Sequence, residues 1–80
     1  MVVKSYPNPF TQFIHLQITD FDTTKIIVQI LDINGKLVYL KAHTAENKIF
    51  KIALSHLAIG AYLLKIKNGQ LNYFTKIIKN

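Results

Sequence analysis

The chain has 80 residues, half of them hydrophobic and 18% charged, with ten lysines, no arginine, four acids and a formal net charge of +6. A chain of this length holds one small domain, burying about 60–65% of its unfolded surface, and it is too apolar for a disordered tail. No apolar run approaches the roughly 20 residues of a membrane-spanning helix, and the lack of cysteine excludes disulfides, a thiolate nucleophile and cysteine metal sites.

The first residues, Met1-Val-Val-Lys-Ser-Tyr-Pro, reach a proline before any apolar signal-peptide region forms, so the chain reads either as cytoplasmic or as a piece of a longer protein. Val2 to Tyr6 can form a short strand. Pro7-Asn8-Pro9 then fixes φ twice and removes two backbone donors, which predicts an extended or turning linker. From Phe13 the alternation resumes, with Ile14, Leu16 and Ile18 on one face and His15 and Gln17 on the other. Thr19 to Thr24, with Asp20 and Asp22, reads as a polar connection.

Ile26 to Leu40 is the clearest hairpin. Ile26, Val28 and Ile30 recur with period two, as do Val38 and Leu40, so each arm is expected to offer an apolar face. Between them lies Asp32-Ile33-Asn34-Gly35, where Asp32 suits the start of a type I turn and Gly35 takes the positive φ that ends the loop. Lys41 to Lys48 reads as a polar loop and Ile49 to Ile52 as a short strand. Leu54 and Leu57, three apart, fit one helical turn crossing between sheets, which Gly60 ends. Tyr62, Leu64 and Ile66 then alternate with Leu63, Lys65 and Lys67. Asn68-Gly69 is a two-residue hairpin signal, and the last strand, Leu71 to Ile78, has apolar residues on both faces.

Seven short strands with turns every 8 to 12 residues or so predict an all-β fold, a seven-stranded antiparallel Ig-like β-sandwich with Greek-key connections. Barrel closure is the alternative.

Catalytic constellations are sparse. Asp20, Asp22, Asp32 and Glu46 are the only carboxylates, all in predicted turns or loops, where acids form turns or are solvated. His15, His43 and His56 have no metal-ligand spacing. Asp32 to Gly35 faintly echoes a calcium loop without its further acids, and Asp20-Phe21-Asp22 could sit at a calcium site at one end of a sandwich. Ser55-His56 has no orienting acid. No glycine-rich phosphate loop is present, and no cofactor is expected.

Charge is more telling. Lys4, Lys25, Lys36 and Lys41 balance the four acids, whereas six lysines and no acid follow Asn47. The bias points to an acidic partner, namely nucleic acid, anionic lipid or saccharide, or an acidic protein. The plainer reading is that lysines keep strand edges and outer faces soluble. Lys65, Lys67, Lys76 and Lys79 interleave with Tyr62, Tyr73 and Phe74 as in single-strand-binding sheets. Yet arginine is missing, and Tyr62 alternates onto the opposite face from Lys65 and Lys67. Ile27, Leu31, Leu63 and Phe74 or Tyr73 must point outward, and exposed apolar area beside lysines marks protein contacts. A last strand at a sheet edge could also accept a partner strand.

Four segments, Tyr6-Pro7-Asn8-Pro9-Phe10, Ile30-Leu31-Asp32-Ile33-Asn34-Gly35-Lys36, Leu54-x-x-Leu57-x-x-Gly60-x-Tyr62 and Lys76-Ile77-Ile78-Lys79, follow in order over nearly the whole chain. Together they resemble the type A C-terminal sorting domain of proteins exported by the type IX secretion system of Bacteroidota. The resemblance implies a non-catalytic label, itself an Ig-like sandwich, at the end of an exported cargo. It directs the cargo from the periplasm across the outer membrane and is removed by a cell-surface sortase, the cargo being released or attached to anionic lipopolysaccharide. The implied partners are the shuttle protein, translocon and sortase of that machinery and a covalently linked upstream cargo, not nucleic acid.

By the same likeness, Pro7, Asn8 and Pro9 match the entry motif. Asp32, Gly35 and Lys36 match the central turn, and Leu57, Gly60 and Tyr62 the crossing before the penultimate strand. Lys76, Ile77, Ile78 and Lys79 match the C-terminal signal recognised by the machinery. Tyr62 can fill the core while its hydroxyl reaches a backbone group, as a tyrosine corner does. Met1 then reads as an artificial start, with a signal peptide and cargo upstream in the natural protein and the cut before or near Val2 to Tyr6. Residues 1–6 would be linker or first strand, and residues 7–80 the sandwich of a single domain. An Ig-like accessory module binding a carbohydrate or a protein partner is the competing reading.

Overall fold

A computed structural model describes residues 2–19, 25–44, 49–69 and 71–80. The candidate acids Asp20, Asp22 and Glu46 lie outside the described residues, as do residues 20–24 of the expected polar connection, whose Thr19 ends β2, and residues 45–48 of the expected polar loop. Strands form where the sequence alternates: β1 (Val2–Tyr6), β2 (Phe13–Thr19), β3 (Lys25–Leu31), β4 (Leu37–Thr44), β5 (Ile49–Ala53), β6 (Gly60–Asn68) and β7 (Leu71–Lys79). They make two antiparallel sheets, β1-β2-β5 and β4-β3-β6-β7. Hairpins join β1 to β2, β3 to β4 and β6 to β7, while β2–β3, β4–β5 and β5–β6 cross between sheets, giving the seven-stranded Ig-like sandwich. No described strand of one sheet pairs with a strand of the other, so the barrel is not formed.

The core lies between the sheets. Ile14, Leu16 and Ile18 of β2 face Ile26, Val28 and Ile30 of β3 and Tyr62, Leu64 and Ile66 of β6, joined by Phe50, Ile52, Leu54 and Ile77. Each such side chain contributes about 1.5–3 kcal/mol by leaving water. The crossing from β5 to β6 is a single hydrogen-bonded turn, in which the Leu57 amide donates to the Leu54 carbonyl at 3.1 Å. Above it Tyr62, 8% exposed, donates its hydroxyl to the Ala58 carbonyl at 2.6 Å, which ties the entrance of β6 to that turn as a tyrosine corner.

Three local expectations are corrected. The pairing of β3 with β4 runs Ile30 to Tyr39 and then Leu31 to Leu37, so Val38 is the extra residue of a bulge. The bulge resets the alternation: Leu40 is 57% exposed, and Tyr39 and His43 turn toward the core in its place. Second, β4 continues to Thr44, so Lys41 to Thr44 belong to a strand and not to a loop. Third, Asn68 is buried and pairs with Leu71 at the end of β6, so the last hairpin turns one residue later than the Asn-Gly pattern predicts, with Gly69 at φ +61°.

Candidate recognition site

Period two decides what the expected C-terminal signal, Lys76 to Lys79, can offer. Ile77 and Lys79 point inward: Ile77 is in the core, and Lys79, 7% exposed, donates its ammonium to the Thr11 carbonyl, 5.9 Å from the centre of the Phe10 ring. Lys76 and Ile78 point outward into solvent. Of the four residues expected to meet the export machinery, two therefore hold the fold and two are presented.

Pro7-Asn8-Pro9 leaves sheet one as expected, with both X-Pro peptides cis, but it is not a free linker. Asn8 donates its side-chain amide to the Lys76 carbonyl at 3.1 Å and accepts the Ile78 amide at 3.0 Å. Phe10 then runs parallel to β7. Its amide donates to the Ile78 carbonyl, its carbonyl accepts from the Asn80 amide, each at 2.8 Å, and its ring is fully buried. The entry motif is thus a latch along the far edge of the C-terminal signal. Phe10, in the first of the four motif segments, has a core role that period and spacing do not predict. An aromatic directly after a proline pair was the available signal.

The central turn is built as its residues predict. Asp32 Oδ1 accepts the amides of Asn34 and Lys36, both at 2.9 Å, its carbonyl accepts from Gly35 at 3.0 Å, and Gly35 sits at φ +81°. The turn stands beside the start of β6 and the end of β7. Leu31, Ile33, Tyr62, Leu63 and Lys76, with Asp32, Gly35 and Ala61, line an open groove of about 440 Å³ there. Residues from three motifs distant in sequence, Asp32 with Gly35, Tyr62, and Lys76, so converge on one place. Lys36, exposed on the turn, and Leu57 and Gly60, in and after the crossing, shape its surroundings without lining it.

The groove opens onto the outer face of sheet two. Across that face the register aligns Leu31, Leu63 and Lys76 in one row, Gln29, Lys65 and Phe74 in the next, and Ile27, Lys67 and Asn72 in a third. Leu63 and Phe74 are exposed, and the Lys65 ammonium lies 5.5 Å from the centre of the Phe74 ring. The face is apolar and basic, and β3, β4, β6 and β7 carry no acid. Its chemistry suits a protein surface that offers apolar contacts and carboxylates.

The other candidates are not assembled into a centre. Among the described residues no three His, Asp or Glu approach one another as metal ligands. His15 packs between Tyr6 and Phe13, ring centres 5.3 and 5.1 Å away, with Lys51 over Phe13, on the outer face of sheet one. Ser55 and His56 lie exposed on the crossing turn. Tyr62 is buried and gives nucleic acid no stacking surface. No described helix is long and apolar enough to cross a membrane. Residues 4–80 match the family described as "Secretion system C-terminal sorting domain". No curated protein matches the chain.

Proposed function

Since the chain belongs to the secretion system C-terminal sorting domain family, a family of type IX sorting signals for export across the outer membrane, we propose that its recognition surface is the groove and outer face around Lys76. The observation that carries this reading is the meeting of Asp32, Gly35, Tyr62 and Lys76 at one groove, with Leu63 exposed beside them. The export machinery reads the folded sandwich there: apolar contacts to Leu31 and Leu63 give affinity, and the Lys76 ammonium selects an acidic counterpart. Ile77 and Lys79 contribute by holding β7 in place.

The label is then severed from its cargo by the sortase ahead of β1, and the cargo is released or anchored at the surface. Support for that position comes from β1 itself, which is paired along its length with β2 and packs Val3 against the core. A protease needs extended, unpaired backbone, which β1, paired along its length, does not offer.

The test fuses the chain behind a periplasmic reporter in a host with type IX secretion. The parent fusion is expected outside the outer membrane, and Lys76→Glu is expected to leave most of the reporter in the periplasm, with the domain still folded. Lys4→Glu, on the outer face of sheet one, is expected to export as the parent does. Equal export of Lys76→Glu and parent overturns the assignment of the surface. Mass spectrometry of the exported reporter locates the cut, which is expected before Val2.

A further inference from the structure

The latch reveals which backbone groups of β7 face away from β6. The Ile78 amide donates to Asn8 and its carbonyl accepts from the Phe10 amide, the Asn80 amide donates to the Phe10 carbonyl, and the Lys76 carbonyl accepts from the Asn8 side-chain amide. In a strand the amide and carbonyl of one residue point to the same side and the next residue's to the other. The even-numbered positions therefore face outward all along β7, and the odd-numbered ones bond to β6. The latch reaches no further back than Lys76. The amides and carbonyls of Asn72 and Phe74, and the amide of Lys76, are left on an edge that no described strand covers.

We infer that this edge, from Asn72 to Lys76, is a docking site for an extended acidic segment of a partner protein, which adds as a fifth strand to sheet two. Three observations select that occupant. The open stretch is about five residues, or about 17 Å at 3.4 Å per residue, and the latch closes one end, so it fits a short segment and not a long strand. Of the devices that block strand addition, β7 carries no proline and no bulge along this edge, and its one charged blocker, Lys76, repels a basic strand while attracting an acidic one. The side chains flanking it are Lys65, Lys67, Lys76 and the half-exposed ring of Phe74, with no carboxylate on β6 or β7. A second copy of the chain would bring lysines against lysines, whereas a strand with acids on its outward face meets them with opposite charge. The inference adds a partner class to the recognition reading above and rests on it for its biological setting, but the binding itself is independent of export.

The experiment uses the whole chain and a blocked seven-residue peptide of alternating glutamate and valine, with a lysine-for-glutamate peptide as the comparison. Amide hydrogen exchange followed by NMR is expected to slow at Asn72, Phe74 and Lys76 when the acidic peptide is added, and to stay unchanged on the outer edge of β4. The lysine peptide is expected to bind at least about tenfold more weakly, a difference of about 1.4 kcal/mol. Phe74→Pro removes an outward amide without breaking a bond to β6, so it should abolish protection at Asn72 and Lys76. If that variant does not fold, Lys65→Gln with Lys67→Gln and Lys76→Gln tests the charge term and should bring the two peptides to equal affinity. No protection at these amides at millimolar acidic peptide and low salt overturns the inference, as does equal binding of the two peptides by the parent, or protection arising from self-association alone. A chain that exports its reporter yet binds no acidic peptide sinks this inference and leaves the sorting surface standing. One that binds the peptide but exports equally well as Lys76→Glu does the reverse.

Discussion

Asp32 holds its turn through one oxygen that serves two amides, those of Asn34 and Lys36. Replacing it with alanine leaves two donors to water in a half-exposed site and costs about 1–2 kcal/mol, which lowers the melting temperature by roughly 4–16 °C in a domain of this size. Asp32→Asn keeps the acceptor oxygen and should recover most of the loss. If the two variants melt alike, the carboxylate's charge and not its hydrogen bonds matters in the turn. Gly35 tests the same turn from the other side. At φ +81° nothing crowds a Cβ, so the cost of Gly35→Val is conformational alone, about 1–3 kcal/mol. Gly35→Ala should lose less, because alanine is not β-branched. Equal melting of Gly35→Val and parent would show that the loop takes another conformation in solution.

At the scale of the element, β4 is the strand whose sequence misleads most. As an edge it needs only one half-covered face, so Lys41, Ala42 and Thr44 lie in a strand while looking like a loop, and the bulge at Val38 breaks the period that would have exposed the register. The turn around Asp32, the core faces of β2, β3 and β6, and the Tyr62 corner were legible, because each depends on residues within a few positions of one another. The latch was not legible, since Asn8 and Phe10 meet Lys76 to Asn80 about 70 residues away and no local pattern records that pairing. The bulge has a measurable consequence. It turns His43 onto the Phe50 ring, centres 4.3 Å apart, with Nε2 buried and without a hydrogen-bond partner. Burial, and after it the Lys41 charge, holds the His43 pKa below its ordinary value of 6.5. The unfolded chain then binds this proton more readily than the folded one, so stability is full above about pH 6.5 and falls as pH drops from there through the lower folded value. His43→Gln should flatten that part of a melting-temperature profile between pH 7.5 and pH 5. A profile unchanged by the substitution would show that the imidazole is hydrated in the native state.

The molecule as a whole is closed by its own ends, since the segment after β1 and the last residues of β7 hold each other. This couples the proposed signal to stability. Deleting Lys76 to Asn80 removes the fully buried Ile77, the Lys79 cover of Phe10 and every hydrogen bond of the latch. The loss of Ile77 alone is comparable to a large core truncation, about 2–5 kcal/mol, and the stripped Phe10 ring adds to it. An 80-residue domain has about 4–12 kcal/mol in all at 0.05–0.15 kcal/mol per residue, so the deletion should leave no cooperative fold. Its expected signature is collapsed amide dispersion in the NMR spectrum and loss of a sigmoidal melt. A failure to export the truncated chain would therefore not separate a missing address from a missing domain. Lys76→Gln with Ile78→Ser makes that separation, because both side chains face solvent and their backbone bonds to Asn8 and Phe10 survive. This pair should melt within a few degrees of the parent and still fail to export its reporter. If the truncated chain instead keeps a dispersed spectrum and a cooperative melt, the sandwich stands without its latch, and the last five residues serve recognition alone.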